Sequence, residues 1–387
     1  MSEACVGDIH PLSCAMMQIQ ELVDLTVDFL HDSVADLKRC SLVSRSWVPS
    51  ARFHLFSYFA FGDELECQRL VVMLEEAPHL LKLMTHLAIA FHPRLDTLAY
   101  GVLSKIPFAH LKRLTIYTLP WKAPMLVLQN LVALPNITHI VVMQTRDPKL
   151  LFSLFLHRTA SLETLEIRSR EYATQREDVE DVQIQAHAQR LQIDRLRVAN
   201  MPTARLHDPS LSPFDLSALK RLVVTEYQEL CSFRGILTTL GPSLSHLEIA
   251  GLMMGHPGSE GFGKGLDIGP KILPRLMHFT FHVGTPSMLS GIPVLLSGIP
   301  PNTLLQQITL VVDRDCAPSC TDVTRFELVD AWNAIDAAVG CFHSISLTVR
   351  VTLTVAGALE SVLGVSELRA CLPRLAKTKR LLVVEAP

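Results

Sequence analysis

A short pattern of apolar positions, apolar-x-x-apolar-x-apolar, recurs along the chain after Gly62. Its middle positions fall at residues 87, 114, 140, 165, 196, 222, 247, 279, 308, 345 and 381. Two apolar residues separated by one polar position predict a short strand that buries one face. The recurrence therefore predicts a structural unit that is repeated along most of the sequence.

Helix-like segments lie between the predicted strands, at residues 64–76, 125–134, 149–158 and 326–339. Prolines such as Pro78, Pro107 and Pro135 stand shortly before the next strand, where they separate it from the preceding helix. Units of strand and helix cannot bury their apolar faces singly, so stacking is required. The sequence thus predicts an α/β fold in which parallel strands and helices form a solenoid over residues 63–387.

The repeat resembles a degenerate leucine-rich repeat, since the first spacings of 27, 26 and 25 residues lie within the range of that class. The usual Asn or Cys after the third apolar position is absent, and Met201 and Leu252 stand in its place. We therefore expect an irregular leucine-rich-repeat-like solenoid. A generic α/β fold with short strands is the alternative.

Near the end of the chain, residues 345–355 alternate strictly between apolar and polar side chains. Such a strand has one buried and one solvated face, as an array requires where it ends. We interpret this segment as a cap of the solenoid.

Three short helices are predicted upstream of the repeats, over residues 18–32, 33–43 and 44–56. Ser33 is placed to cap the second helix, and Ser44 or Ser46 the third, where Pro49 is tolerated in the first turn. Apolar residues point in nearly every direction around the first helix, more than one packing face requires. A unit this small leaves much of its surface uncovered, so the surplus implies a partner surface.

Composition and charge exclude several classes of protein. The 387 residues are 49% hydrophobic and 19% charged, as in a folded chain of two or three domains or one elongated array. A net charge of -3 gives no basic field for nucleic acid or an anionic membrane. The beginning of the chain lacks the features of a secretory signal, and no stretch approaches a spanning helix. We expect a cytoplasmic or nuclear protein whose nine cysteines are reduced.

The segment "IQELVDLTVDFLHDSVADLKRCSLVSRSWVPSARFHLF" resembles an F-box, in the divergent F-box-like form abundant in fungal genomes. Glu21-Leu22, Phe29-Leu30 and Asp36-Leu37 fit that pattern in order and spacing, and so does the run from Leu42 to Trp47. Ile19-Gln20 departs from it by replacing the usual Leu-Pro, which belongs to the family's adaptor contact. We divide the chain into a tail (1–15), an F-box-like helical domain (16–62) and the solenoid (63–387).

The resemblance implies that the three helices bind the small Skp-type adaptor of a cullin-RING ubiquitin ligase, and through it a cullin, while the repeats select a protein substrate. The implied adaptor-binding residues are Ile19, Leu22, Val23, Val27, Leu30, Leu37, Leu42, Val43 and Trp47. The alternative is that several of these, Trp47 above all, only pack the helices together. The protein would then be an interaction scaffold whose F-box no longer binds.

A bias toward His and Arg marks the position just before each middle apolar residue, which points away from the core. The residues are His86, Arg113, His139, Thr164, Arg195, Arg221, His246, His278, Gln307, Ser344 and Arg380. Stacked strands would align them along one edge of a concave surface, and the substrate-binding candidates are His86, Arg113, His139, Arg195, Arg221, His246 and His278. Our hypothesis is contact with an acidic or phosphorylated segment. The alternative is an ordinary solvated row, neutralised by Glu166 and Glu248.

Catalysis has little support in the sequence, and we expect neither enzyme activity nor a cofactor. Residues 258–264 match the start of a phosphate-binding loop, but Gly265 replaces the Ser or Thr that would bind Mg²⁺. Cys316 and Cys320 form only half of a zinc site. Neither a G-x-S-x-G nor an H-E-x-x-H string occurs.

Overall fold

The fold is α/β, with thirteen strands among the described residues and parallel pairing throughout each unit. The computed structural model describes residues 20–90, 101, 103, 105–106, 108–118, 125–145, 148–169, 190–199, 206, 212–225, 237, 240–250, 273–283, 289, 292–297, 304–313, 325–342, 345–352 and 365–386. The chain divides into two compact units, Met1–Val127 and Leu128–Pro387. Among the described residues, no helix combines the length and the apolar character needed to cross a membrane.

The first unit holds the N-terminal helices and three strands. Its elements are α1 (Gln20–Phe29), α2 (Val34–Val43), α3 (Val48–Ser57), β1 (Tyr58–Phe61), α4 (Glu64–Glu76), a 3-10 helix (Pro78–Leu83), β2 (His86–Ala90) and β3 (Arg113–Thr118). The three helices predicted at the N-terminus and the helix at residues 64–76 are therefore present.

The sheet of the first unit begins earlier than the repeat pattern indicated. Strand β1 follows α3 directly and pairs with β2, so that Phe59 lies opposite Leu87, which in turn lies opposite Leu114. This strand was missed because its four residues lack the recurring apolar spacing. Gly62 ends the strand where a Cβ atom would come within 2.9 Å of the Ala90 Cβ, so the close approach requires glycine.

The remaining strands and helices lie in the second unit, except that the first of them begins three residues before the boundary. They are α5 (Met125–Val132), β4 (His139–Thr145), α6 (Pro148–Leu154), β5 (Leu162–Ser169), β6 (Leu191–Ala199), β7 (Phe214–Asp215), β8 (Arg221–Thr225), β9 (His246–Ala250), β10 (His278–Val283), α7 (Ile292–Ser297), β11 (Gln307–Asp313), α8 (Arg325–Gly340), β12 (Ser346–Thr352), α9 (Val365–Cys371), α10 (Pro373–Lys377) and β13 (Leu381–Ala386). Apart from β7, which pairs only with β6, the strands of this unit lie side by side in chain order from β4 to β13.

Strand register in the second unit follows the apolar pattern of the sequence. The middle positions that lie opposite one another are Ile140, Leu165, Leu196, Leu222, Leu247, Phe279 and Ile308. All seven side chains are buried. Each strand thus places its recurring apolar residues in one continuous core, as predicted for stacked units.

One repeat was assigned two residues too early. Ile308 pairs with Leu347, not with Ile345, and Leu347 in turn pairs with Leu381. Ile345 precedes strand β12 and is also buried. Because the segment alternates strictly, Ile345 and Leu347 fit the pattern equally well, and only pairing with the neighbouring strand decides between them. The supposed cap is the last strand but one.

The C-terminal helices are joined by polar contacts that sequence pattern did not indicate. The buried carboxylate of Asp336 on α8 accepts hydrogen bonds of 3.0 Å from the backbone amides of Arg374 and Leu375, which begin α10. Arg380 donates to the carbonyls of Val339 and Phe342 at the end of α8. Its guanidinium therefore serves this helix end and does not belong to the His and Arg row in which we placed it.

Arg158 is the most deeply buried cation among the described residues, at 3% exposure. Its guanidinium donates to five backbone carbonyls, at distances of 2.5 to 3.1 Å, from Val132, Leu134, Ile137, Ala160 and Ser161. These carbonyls lie at the end of α5 and in the turns before β4 and β5. Burial lowers the pKa of Arg158 to about 10, so the group stays charged at neutral pH. One side chain thus donates to the turns before two successive strands, β4 and β5.

We expect Arg158→Met to lower the free energy of unfolding by about 3 kcal/mol, because five backbone carbonyls lose a donor and the hydrogen bonds to two of them, Val132 and Ile137, are buried. Arg158→Lys should lose about 2 kcal/mol, since three ammonium protons cannot replace the planar fork. Urea unfolding followed by circular dichroism measures both changes.

His157→Ala, at the exposed neighbouring position, is the control and should stay within about 0.5 kcal/mol of wild type. An Arg158→Met variant as stable as this control would contradict the assignment.

Candidate interaction surfaces

The three N-terminal helices close a small core of their own. Val23 and Val27 of α1, Leu37 and Cys40 of α2 and Ala51 of α3 are buried together, and Leu30, Trp47 and Leu55 pack against them. Five of the nine residues proposed for adaptor binding therefore contribute to packing among the three helices. They are Val23, Val27, Leu30, Leu37 and Trp47. Ile19 lies outside the described residues.

The same helices leave a set of large apolar side chains exposed. Leu22, Leu25 and Phe29 follow one stripe of α1, opposite the buried stripe, and Val34, Leu42 and Val43 lie on α2. Phe29 is 79% exposed and Leu42 is 86% exposed. Leu22, Leu42 and Val43 belong to the predicted contact set, whereas Leu25, Phe29 and Val34 were missed. Residues 22, 25 and 29 lie on the exposed face of α1, and residues 23, 27 and 30 lie on the buried face. This spacing is the sequence signal that distinguishes the two faces.

Polar contacts fix α1 against α3 on the side away from the apolar stripe. Asp24 accepts hydrogen bonds from Ser50 and from Gln20, and His54 Nε2 lies 2.7 Å from Asp28 Oδ1. The hydrogen bond from Ser50, followed by that from Gln20, lowers the pKa of Asp24. The orientation of α1, and with it the direction of the exposed stripe, is therefore set by side chains of α3.

Helix caps in this unit follow the prediction only in part. Ser33 caps α2, and its hydroxyl accepts from the Asp36 amide at 3.3 Å. The third helix begins instead after Trp47, without a side-chain cap, so neither Ser44 nor Ser46 caps it. Ser44 ends α2, and its hydroxyl lies 2.6 Å from that of Ser46. The Trp47 ring is directed to the core, which fixes the start of α3 without a capping hydroxyl.

A second surface is formed by side chains that alternate with the core residues along the strands. In the first unit, Tyr58, His86 and Arg113 lie opposite one another. In the second unit the aligned residues are His139, Thr164, Arg195, Arg221, His246, His278, Gln307 and Ser346. The predicted row is thus aligned within each unit, except that Ser346 takes the position given to Ser344, which lies outside the described residues.

His86 differs chemically from the other members of the row. Its ring lies edge-on to Tyr58, with centroids 4.7 Å apart, and its Nε2 is 3.0 Å from Thr115 Oγ1. Burial, followed by the charge of Arg113, lowers the pKa of His86 to about 4. His86 is therefore neutral at physiological pH, whereas Arg113 beside it is exposed and charged.

Three glutamates lie among the cations of the second unit. Arg221 contacts Glu248 at 2.9 Å and His282 contacts it at 3.4 Å. Hydrogen bonds from His282 and Arg221 lower the pKa of Glu248 to about 2.

The remaining two carboxylates, Glu166 and Glu163, differ in their distances from the neighbouring cations. Glu166 is shared by Arg168 at 2.5 Å and Arg197 at 3.8 Å. Glu163 lies 3.8 Å from His139 and 3.9 Å from Arg195, too far for a hydrogen bond. Glu248 thus neutralises Arg221 of the row, as the alternative interpretation expected, whereas the partners of Glu166 lie outside the row.

His246 and His278 form a stacked pair in the same row. Their ring centroids are 4.3 Å apart with an interplanar angle of 17°, and His246 Nδ1 lies 2.8 Å from Ser245 Oγ. Burial is the largest cause that lowers the pKa of His246, followed by His278 and the nearby arginines. Within the part of the chain that is described, no group of three or more His, Cys, Asp or Glu side chains is placed to hold a metal ion.

The sequence matches no protein-family model and no curated protein. Exposed apolar side chains grouped on one surface are typical of a protein-binding site.

Glu248→Gln tests the electrostatics of the open sheet face. A carboxylate whose folded pKa is about 2 stabilises the fold above its unfolded pKa of about 4.5, and that stabilisation is lost as pH falls toward 2. We expect the variant to be less stable than wild type by about 1.5 kcal/mol at pH 7, with the difference shrinking between pH 5 and pH 2. Urea unfolding at a series of pH values measures it.

Glu163→Gln removes a more exposed carboxylate with longer contacts, and should cost no more than about 0.5 kcal/mol at any of these pH values. A constant difference between Glu248→Gln and wild type across the pH range would count against the paired carboxylate.

Proposed function

We propose that the protein is a substrate receptor of a cullin-RING (SCF-type) ubiquitin ligase, with no catalytic step of its own. The three-helix unit would bind the Skp-type adaptor, and through it a cullin. The open face of the parallel strands would bind a protein substrate.

The observation that carries the proposal is the exposed apolar face of a unit whose own core is already closed. Val23 and Val27 are buried within the unit, yet Phe29 and Leu42 remain largely in solvent. Burial of one such side chain contributes about 1.5 to 3 kcal/mol, so a few of them suffice for a stable complex. Exposed large apolar residues grouped on one small unit are typical of a protein-binding surface.

The adaptor is favoured over other partners by where the F-box-like residues lie. Leu42 and Val43 stand exposed at the end of α2, directly before the turn that leads to Trp47. In the segment that resembles an F-box, Trp47 thus packs against the core of the three helices, whereas Leu42 and Val43 remain exposed. Ile19-Gln20, in place of the usual Leu-Pro, argues for weaker adaptor binding and not for a different fold.

The rival proposal is an interaction scaffold with a non-functional F-box. It is favoured by one observation: Val23, Val27 and Leu37, all in the expected adaptor contact, are already buried in the unit. Under this proposal the exposed stripe on α1 and α2 would bind a different protein, and the chain would not join a ligase.

Leu22→Asp combined with Leu42→Asp separates the two proposals. Both side chains are exposed, so the substitutions leave the core intact while placing carboxylates in the expected contact. We expect co-purification with the Skp-type adaptor to fall at least about tenfold, because buried unpaired charges oppose binding. Circular dichroism should show unchanged helicity.

Leu65→Asp combined with Val72→Asp is the matched control, since both residues are exposed apolar positions on α4. This variant should bind the adaptor as wild type does. Wild-type protein that forms no complex with the adaptor would favour the scaffold, and equal loss in both double variants would show that the α1 and α2 stripe is not the contact.

A further inference from the structure

Four neighbouring strands of the second unit carry four cationic or protonatable side chains in direct register. Arg195, Arg221, His246 and His278 lie opposite one another on β6, β8, β9 and β10. Adjacent strands are spaced by about 4.8 Å, so the four positions span roughly 14 Å. That length corresponds to about four residues of an extended peptide. We call these four residues the cationic row.

The charge of the surrounding face depends on its histidines. Among the described residues from β4 to β10, four arginines lie with three glutamates, namely Arg168, Arg195, Arg197 and Arg221 with Glu163, Glu166 and Glu248. With neutral histidines this face carries a small positive excess. Protonation of His139, His246, His278 and His282 would add four further charges.

The counterions already present indicate which anion the row accepts. Arg221 and His282 hold the carboxylate of Glu248, and Arg168 holds that of Glu166. Arg195 is 55% exposed and its nearest carboxylate, on Glu163, lies 3.9 Å away, so it can take a second carboxylate. Several carboxylates along an extended peptide can reach several cations of the row, whereas a single phosphate group can contact only one or two of them. The site therefore favours a segment that carries several carboxylates.

The stacked histidines make this preference sensitive to pH. The groups that face His246 are Arg195 on β6, Arg221 on β8, Glu248 on its own strand, and His278 and His282 on β10. Two of these groups, Arg195 and Arg221, are cations and one, Glu248, is an anion, so protonation of the pair is opposed until a further anion lies across it. Anion binding and proton uptake are therefore coupled.

We propose that the cationic row binds an acidic, Asp- and Glu-rich segment of a partner protein, and binds it more tightly when the His246 and His278 pair is protonated. This rests on the proposed function in assigning substrate binding to the open face of the strands, but it does not depend on adaptor binding. The chain's overall charge of -3 disfavours nucleic acid as the ligand.

Fluorescence anisotropy with the full chain and a labelled eight-residue peptide of alternating Ser and Glu tests the proposal. We expect affinity to rise about tenfold as the pH falls from 8 to 6, because carboxylates bound across the His246 and His278 pair favour its protonation. Arg195→Gln combined with Arg221→Gln should weaken binding about tenfold at both pH values. His246→Asn combined with His278→Asn should abolish most of the pH dependence and leave binding at pH 8 nearly unchanged.

Arg69→Gln combined with Arg369→Gln removes two exposed arginines from α4 and α9 and is the matched control. It should bind as wild type does, and urea unfolding of all variants shows whether they are folded. Equal loss in the control, a Ser-Gln peptide that binds as well as Ser-Glu, or pH dependence that survives in the histidine variant would each overturn the proposal. So would binding of a phosphoserine peptide, or of single-stranded RNA, without binding of the Ser-Glu peptide.

Co-purification of the same variants with the Skp-type adaptor distinguishes failure of the proposed ligase function from failure of the proposed peptide binding. Peptide binding by a chain that does not bind the adaptor would refute the ligase receptor and support the cationic row. Adaptor binding without peptide binding would refute the row alone.

Discussion

Parallel pairing between short strands is the constraint on which the α/β fold depends. A strand such as Arg221–Thr225 has five residues, and its buried Leu222 and Val224 are covered only when neighbouring strands and the helix layer are in place. Parallel strands also require a crossover between every pair, which accounts for the helix-like segments of the sequence. Because register follows from which residues are buried, the same pairing aligns the outward side chains. The pairing that aligns the buried side chains thus also aligns the side chains on the exposed face of the strands.

The turns between strands impose a second requirement, because each leaves backbone carbonyls without partners. In a repeat that lacks a regular asparagine, the described turns are satisfied by different side chains. Arg158 serves five carbonyls, Arg380 serves the end of α8, and Ser243 donates to the carbonyl of Leu219 at 2.9 Å. Such varied solutions tolerate unequal repeat lengths, which is consistent with the irregular spacing of the middle positions.

Much of the fold was predictable because its signals are local. The apolar triplets identified eleven of the thirteen described strands, all except β1 and β7, and helix periodicity gave α4 at its observed bounds. Other features depend on contacts distant in sequence. The choice between Ile345 and Leu347 is decided by the neighbouring strand, and the roles of Arg158 and Arg380 by which carbonyls lie nearby.

The interaction surfaces show the same limit. Sequence identified His and Arg in the outward row, but not that burial, followed by the charge of Arg113, leaves His86 neutral. It also identified the apolar excess of α1, but not which side chains remain exposed once α3 is in place.

Amide hydrogen exchange tests the central claim, that the exposed face of the three helices is covered by an adaptor, most directly. The chain would be compared alone and after addition of the purified Skp-type adaptor. The account predicts slower exchange in Gln20–Phe29 and Val34–Val43, with little change in strands β8 to β10. Unchanged exchange in both helices at saturating adaptor, or protection of the strands without the helices, would contradict it.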